Sequence, residues 1–267
     1  MADFYLLGNT TDSQMFGCVI KTENKTIVID GGTYGDGKQL ADFLNEKSNS
    51  HVDAWVFTHP HHDHIGSFIN IRRSYPSITV DRLYYHFPDL SDEVQRPLAR
   101  SEFEATLWED VKEWDDRHPH HKVMPGECFE FDDVKIRVLR VYNPEIVGIN
   151  ESSSIYRIEG KRHSILILGD LSVRAENDLI DKCPLELLQA DYTQMAHHGQ
   201  WGVSRKFYEY IKPKRCIWPT PEWLWNNDRG NGFDTDIFHT VRTREWMDAL
   251  GVTEHFVEKD GIQKIEI

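Results

Sequence analysis

Three short segments open the chain, at 3–7, 15–21 and 26–30, each apolar or alternating apolar with polar, which is the pattern of strands. Gly8-Asn9-Thr10 and Glu23-Asn24-Lys25 separate them as turns. A helix is predicted over 37–49, a strand over 53–57, a helix over 65–75 and a strand over 80–87. Phe103, Leu107, Val111 and Trp114 then recur at helical spacing, predicting an amphipathic helix over 92–117 with an acidic outer face. After Pro125-Gly126 strands return at 128–131, 134–141, 154–158 and 164–168. A helix at 173–182, a strand at 191–196, a helix at 204–211 and a strand at 215–218 follow. The chain closes with a helix at 240–250 and strands at 254–257 and 262–267. Strands followed by helices, twice over, predict an α/β fold of two packed sheets flanked by helices. No low-complexity linker interrupts the pattern, so one domain over 1–267 is expected, with pseudo-halves of about 1–125 and 126–267.

Composition narrows the class. With 267 residues, 39% hydrophobic and 12% aromatic, the chain can bury a large core and is not of disordered type. No apolar run approaches the ~20 residues that span a bilayer, and the N-terminus lacks the basic and long apolar regions of a signal peptide. Cys18, Cys128, Cys183 and Cys216 show no Cys-x-x-Cys spacing and read as buried thiols, so a reducing cytoplasm is the expected location. The net charge of −14 argues against a grip on long nucleic acid, which needs Lys and Arg against phosphates. A small-molecule substrate and no membrane partner are the expectation.

One polar stretch departs from ordinary loop composition. His59-Pro60-His61-His62-Asp63-His64 directly follows the apolar run Ala54-Trp55-Val56-Phe57-Thr58. His59 and His61 are two apart, so in extended chain they face one side and suit a single ion. Asp63 and His64 come where the chain turns into a helix expected to begin near Ile65, which lets them face a second ion. Zinc accepts both nitrogen and carboxylate oxygen. A merely histidine-rich loop is the bland alternative, but imidazoles packed so closely repel when charged unless a metal holds them neutral.

Other candidates sit at strand ends. Asp30, before Gly31-Gly32, is either a partner that holds a ligand in place or a plain turn residue. Asp170 ends an apolar strand and either bridges two ions or caps the following helix. In His197-His198-Gly199 one histidine is expected to ligate and the other to meet substrate or to support a ligand from behind, without the sequence saying which. His118, His120 and His121 read as loop residues rather than ligands. Trp201, Trp218, Trp223, Trp225 and Trp246 crowd the last third. Aromatic faces beside Glu222 would suit a cation such as choline, although core packing explains the same rings more simply.

Together Asp30, the His59, His61, Asp63, His64 element, Asp170 and His197-His198-Gly199 resemble the metallo-β-lactamase superfamily of metal-dependent hydrolases, over nearly the whole chain. With Asn150-Glu151-Ser152-Ser153-Ser154, they are most similar to the branch of the ComEC-type competence proteins, to which teichoic-acid phosphorylcholine esterases are related. The resemblance implies a four-layer αββα sandwich and two divalent ions, zinc first, with Mn²⁺ or Fe as alternatives. It implies His59 and His61 on the first metal, Asp63, His64 and one of His197 and His198 on the second, and Asp170 bridging. Where many members place a third histidine on the first metal, this chain offers Asn150, a weaker zinc ligand, so that site is expected to bind less tightly. The implied reaction is hydrolysis of a small phosphodiester or phosphate ester by a metal-activated hydroxide, with Asp63, His197 and His198 nearest the chemistry. A carboxylic ester, lactone or β-lactam hydrolase is the alternative, and an inactive scaffold a weaker one.

Overall fold

The computed structural model describes residues 2–89, 102–116 and 119–267. Its strands are β1 (Asp3–Leu6), β2 (Gly17–Lys21), β3 (Thr26–Asp30), β4 (His51–Val52), β5 (Ala54–Val56), β6 (Thr79–Val80), β7 (Leu83–Tyr85) and β8 (His120–Lys122). They continue as β9 (Cys128–Phe131), β10 (Val134–Arg140), β11 (Ile155–Glu159), β12 (Ser164–Ile167), β13 (Tyr192–Gln194), β14 (Cys216–Trp218), β15 (His255–Val257) and β16 (Gln263–Glu266). One seven-stranded sheet runs β16-β1-β2-β3-β5-β7-β8, the other β15-β14-β13-β12-β11-β10-β9, and β4 pairs with β6 alone. The last strand thus crosses back from the second sheet to pair antiparallel with β1.

The continuous apolar runs have a direct cause: strands near the middle of each sheet are buried on both faces. In β3, Ile27 and Ile29 point into the core between the sheets, while Val28 joins the outer cluster. In β12, Ile165 and Ile167 face inward and Leu166 faces outward. Helices cover those outer faces. α1 (Gly37–Lys47), α2 (His62–Ser74) and α3 (Glu102–Asp115) pack on the first sheet through Leu40, Phe68, Leu107 and Val111. On the second lie α4 (Glu176–Lys182), α5 (Leu185–Leu188), α6 (Arg205–Ile211), α7 (Glu222–Trp225) and α8 (Thr240–Ala249), through residues such as Leu179, Phe207 and Met247. The result is the four-layer αββα sandwich. No described helix is long and apolar enough to cross a membrane.

Several expectations are corrected in detail. The strand predicted over 80–87 breaks in two: β6 peels off to pair with β4, and only β7 joins the main sheet. Of the helix predicted over 92–117, the described part is α3; Trp114 packs edge-on against Phe68 of α2, with ring centroids 5.5 Å apart, and residues 92–101 lie outside the described residues. His120 and His121 belong to the edge strand β8, not a loop, where Asp115 and Glu127 each approach within 3.0 Å; His118 lies outside the described residues. Of the four cysteines all are free, but Cys128 is exposed on edge strand β9 rather than buried.

Candidate metal centre

In both sheets the parallel strands end at one edge, and the loops leaving their carboxyl ends carry the candidate residues. β3 ends at Asp30, β5 leads into His59 and His61, β12 into Asp170, and β13 into His197 and His198. Helix α2 begins at His62, earlier than the sequence predicts, with His61 in extended conformation before it (φ −73°, ψ 150°). Asp63 and His64 therefore stand on the first helical turn, where the helix dipole favours a carboxylate. Gly66 lets α2 settle directly on the neighbouring loop: a Cβ there would lie 2.3 Å from the Tyr34 backbone nitrogen.

The donors converge into two buried groups, His59 with His61 and Asp170, and Asp63 with His64 and His198. In the first, His59 Nε2 and His61 Nδ1 approach to 3.0 Å, near the spacing of two nitrogens around one ion at roughly 2.0–2.1 Å. Asp170 reaches both groups, with Oδ2 3.6 Å from His59 Nε2 and 3.5 Å from His198 Nε2, and Oδ1 3.2 Å from His64 Nε2. In the second group His198 Nε2 lies 3.3 Å from Asp63 Oδ2. Buried with no hydrogen-bond partner are His64 Nε2, His198 Nε2, Asp63 Oδ1, Asp170 Oδ1 and Asn150 Oδ1. Orphaned donors and acceptors converging in an apolar interior are costly unless something holds them together. Nitrogen lone pairs and carboxylate oxygens of this kind fit divalent cations.

Backing interactions fix which ring atom is presented. His64 Nδ1 donates to Asp30 Oδ2 at 2.7 Å, and Asp30 also accepts from the Thr58 backbone N–H and hydroxyl, both at 2.7 Å. His198 Nδ1 donates to the Pro219 carbonyl at 2.9 Å. With Nδ1 committed as donor, each ring turns Nε2 inward. Gln200 donates to Gln14 at 2.7 Å, and Gln14 donates at 3.3 Å to Asp63 Oδ2, the oxygen that also faces His198. The Ser153 hydroxyl accepts the Asp170 backbone N–H at 3.1 Å, and Gln194 ties the Leu168 N–H to the Gly169 carbonyl. Ser153 stands in the stretch that carries the resemblance, but Gln14, Thr58, Gln194 and Gln200 carry no signal in a single sequence, since amides and hydroxyls are common everywhere.

Electrostatics follow from burial against opposite charge. Burial lowers the His59 imidazole well below its ordinary value, and His64 beside it acts the same way. For His64 burial is opposed and outweighed by Asp170 and Asp30, which hold it well above that value. Burial also opposes protonation of His198, yet Asp170 and Asp63 push it up to about 10. Burial would raise the Asp170 carboxyl, but His64, His198, His197 and His59 keep it well below the carboxylate range. His64 and His198 thus favour a proton between the carboxylates, which a cation would displace, whereas His59 stays neutral.

The alternative between the two late histidines resolves geometrically. β13 stops at Gln194, and His197 and His198 lie in a left-handed turn (φ 51° and 56°), not on a strand end as expected. Each such residue costs about 1–2 kcal/mol relative to right-handed backbone. The His197 N–H donates to the Gly169 carbonyl and the Thr220 hydroxyl to the His198 carbonyl, which hold the turn. His198 enters the second group, fully buried. His197 Nε2 lies 3.7 Å from Asp170 and 3.4 Å from the Asn150 amide nitrogen, and its side chain lines a cleft of about 400 Å³ with Asp63. Of the tryptophans, Trp218 is core and Trp225 and Trp246 pack beside it, whereas Trp201 and Trp223 line this cleft and Glu222 does not. A third group, His51, Asp53 and Asp81, is partly exposed, and Lys25 already sits 2.8 Å from Asp53.

Comparison with known proteins agrees with this geometry. The sequence pattern of the metallo-beta-lactamase superfamily matches residues 18–216. ComE operon protein 3 of Bacillus subtilis (strain 168) is 26% identical over 182 residues, covering 67% of this chain and 21% of that protein, so the chain spans about a fifth of that relative. This similarity supports the ComEC-like branch. Among solved structures, the metallo-beta-lactamase fold protein YhfI from Bacillus subtilis superposes with a TM-score of 0.59 at 14% identity, covering 99% of both chains. A diphosphatase from the PhnP family gives 0.56 at 18% identity, covering 100% of this chain and 98% of that one. With its two sheets, its buried donor groups and this match over most of its length, the chain belongs to the metallo-beta-lactamase superfamily.

Proposed function

We propose that the protein is a metal-dependent hydrolase of a small phosphodiester or phosphate ester, working with two divalent ions, zinc first among them. The observation that carries this reading is the Asp170 carboxylate, which donors of two separate buried groups approach within 3.2–3.6 Å. His59, His61 and Asp170 would hold one ion; Asp63, His64, His198 and Asp170 the other. Such a pair, when bound, lowers the pKa of water toward 7 and stabilises charge developing on substrate oxygens.

The chain's own residues do the rest. Asp30 and Pro219 orient His64 and His198, and Gln14 orients Asp63. His197, in the cleft wall beside Asp170, is placed to meet the leaving or developing oxyanion, as proton donor or as hydrogen-bond partner, and burial lowers its imidazole from the ordinary value. With Asn150 in place of a third histidine, the first group has only three strong donors and leaves room for a substrate oxygen. A phosphodiester has two non-bridging oxygens and a monoester three, enough to span the pair, which favours phosphorus over a carbonyl centre. The cleft suits a small molecule, and a cytoplasmic location accords with the free cysteines.

The test is metal content of protein purified without chelators, followed by turnover of bis-p-nitrophenyl phosphate against a lactone, a thioester and a penicillin. Two equivalents of metal and phosphodiester turnover are expected. Turnover of the carboxyl substrates alone would replace the phosphoester reading, and protein that binds no metal would leave a scaffold.

A further inference from the structure

The cleft beside the candidate centre has a composition that the chemistry so far does not use. Besides Asp63 and His197 it is lined by Trp201, Trp223, Arg229 and Phe238. Arg229 is the one Lys or Arg among the described lining residues. Its guanidinium lies over both Trp223 and Phe238, 4.4 Å and 4.8 Å from the ring centroids. A stacked guanidinium keeps its N–H donors at the edge of its plane, free of the ring faces. Its nearest acid is Asp236, with Nε 3.5 Å from the carboxylate, too long for a strong pair. Trp223, one of the rings that sequence alone would offer to a cationic substrate, therefore already carries a cation of the chain itself.

The segment presenting Arg229 is built rather than loose. Buried Asn227 (φ 49°) donates through its amide to Asp234 Oδ1 at 2.8 Å and to the Asp236 carbonyl at 2.9 Å. Its amide oxygen accepts the Phe238 N–H at 3.1 Å, and its backbone carbonyl accepts the N–H groups of Thr235 and Asp236. Asp236 and Phe238, both beside the Arg229 guanidinium, are thereby held from one hub. Trp201, 47% exposed, packs tilted against His239 with centroids 3.7 Å apart and lines the same cleft. Asp12 is the acid in the lining outside the donor groups, and it is exposed.

Resting on the hydrolase reading above, we propose that Arg229 is a specificity-determining residue. It binds a second anionic group, carboxylate or phosphate, of a phosphoester whose body lies against Trp201. Once the first anion is at the donor cluster, the stacked guanidinium gives charge-assisted, directional hydrogen bonds to the second. Choline esters are excluded by the same arrangement, because their ammonium would face a guanidinium.

The test is calorimetric binding of three phosphonates to the metal-loaded protein: benzylphosphonate, 4-carboxybenzylphosphonate and 4-(trimethylammonio)benzylphosphonate. The wild type is expected to bind the carboxylate compound about tenfold more tightly than the parent, the scale of one charge-assisted bond. Arg229→Gln should bring the two within about twofold, and Arg229→Lys should retain part of the difference because it keeps the charge without the planar fork. Equal affinities in the wild type, no binding of the carboxylate compound at millimolar concentration, a preference that survives Arg229→Gln, or tightest binding of the ammonium compound would each overturn the proposal. Bis-p-nitrophenyl phosphate turnover reports on the hydrolase reading separately. Turnover without the carboxylate preference sinks only the role of Arg229, and the preference without turnover sinks only the phosphoester reaction.

Discussion

The two donor groups share Asp170 but are built differently. In the second, every member has a backing partner: Asp30 behind His64, Pro219 behind His198, and Gln14 with Gln200 behind Asp63. In the first, Thr58 Oγ1 stands 3.1 Å from His59 Nδ1, and the same hydroxyl already serves Asp30. Asn150, on the short 3₁₀ turn Asn150–Ser152, has a buried side-chain oxygen without a hydrogen-bond partner, and its amide nitrogen lies 3.4 Å from His197 Nε2. The second group brings one strong donor more than the first once Asp170 is shared, and the hydroxyl behind His59 is divided with Asp30, so the second group should bind metal first and hold it longer. The lesson is that a shared carboxylate need not make two equal sites.

The largest effect should come from removing the shared group. Asp170→Ala is expected to reduce bound metal from two equivalents to near none and to lower turnover at least ~10³-fold, measured by elemental analysis and initial rates. Splitting the pair is the next test: His61→Ala should lose the weaker ion and keep one equivalent, whereas His198→Ala should lose the tighter. Competition against a coloured chelator reads both, and equal losses from the two variants would abolish the asymmetry.

Asp30→Asn sharpens the comparison without touching a proposed ligand. It should weaken the tighter site by about 10–100-fold while leaving the weaker one unchanged. The smallest effect concerns Glu258, buried behind this group on the turn after β15. Burial raises its carboxyl well above the ordinary range despite the pull of His198. A carboxyl that stays protonated when folded but ionises when unfolded contributes most stability at low pH, and that contribution falls as pH rises above about 4.5. In chelator, the wild-type Tm should therefore drop more between pH 5 and pH 8 than that of Glu258→Gln, by about 2–4 °C. Parallel Tm curves for the two proteins would remove Glu258 from this account.

Local pattern and local composition were enough for much of this molecule. Period-two and continuous apolar runs placed most strands, because burial on both faces of a sheet leaves a mark in one stretch of chain. The His59–His64 element stood out because four imidazoles within six residues are rare without a task, and Asp170 drew its meaning from that company. What the sequence could not determine involved residues far apart along the chain. That His198 rather than His197 joins Asp63 and His64 depends on a left-handed turn held by Gly169 and Thr220. Asp30 backing His64, Gln14 bonded to Gln200 and the stacking of Arg229 on Trp223 and Phe238 are likewise products of tertiary packing. Ligand type is a property of single residues and can be read in order. Ligand orientation, and the charge that faces the substrate, arise from contacts between distant segments, and only the folded chain brings those together.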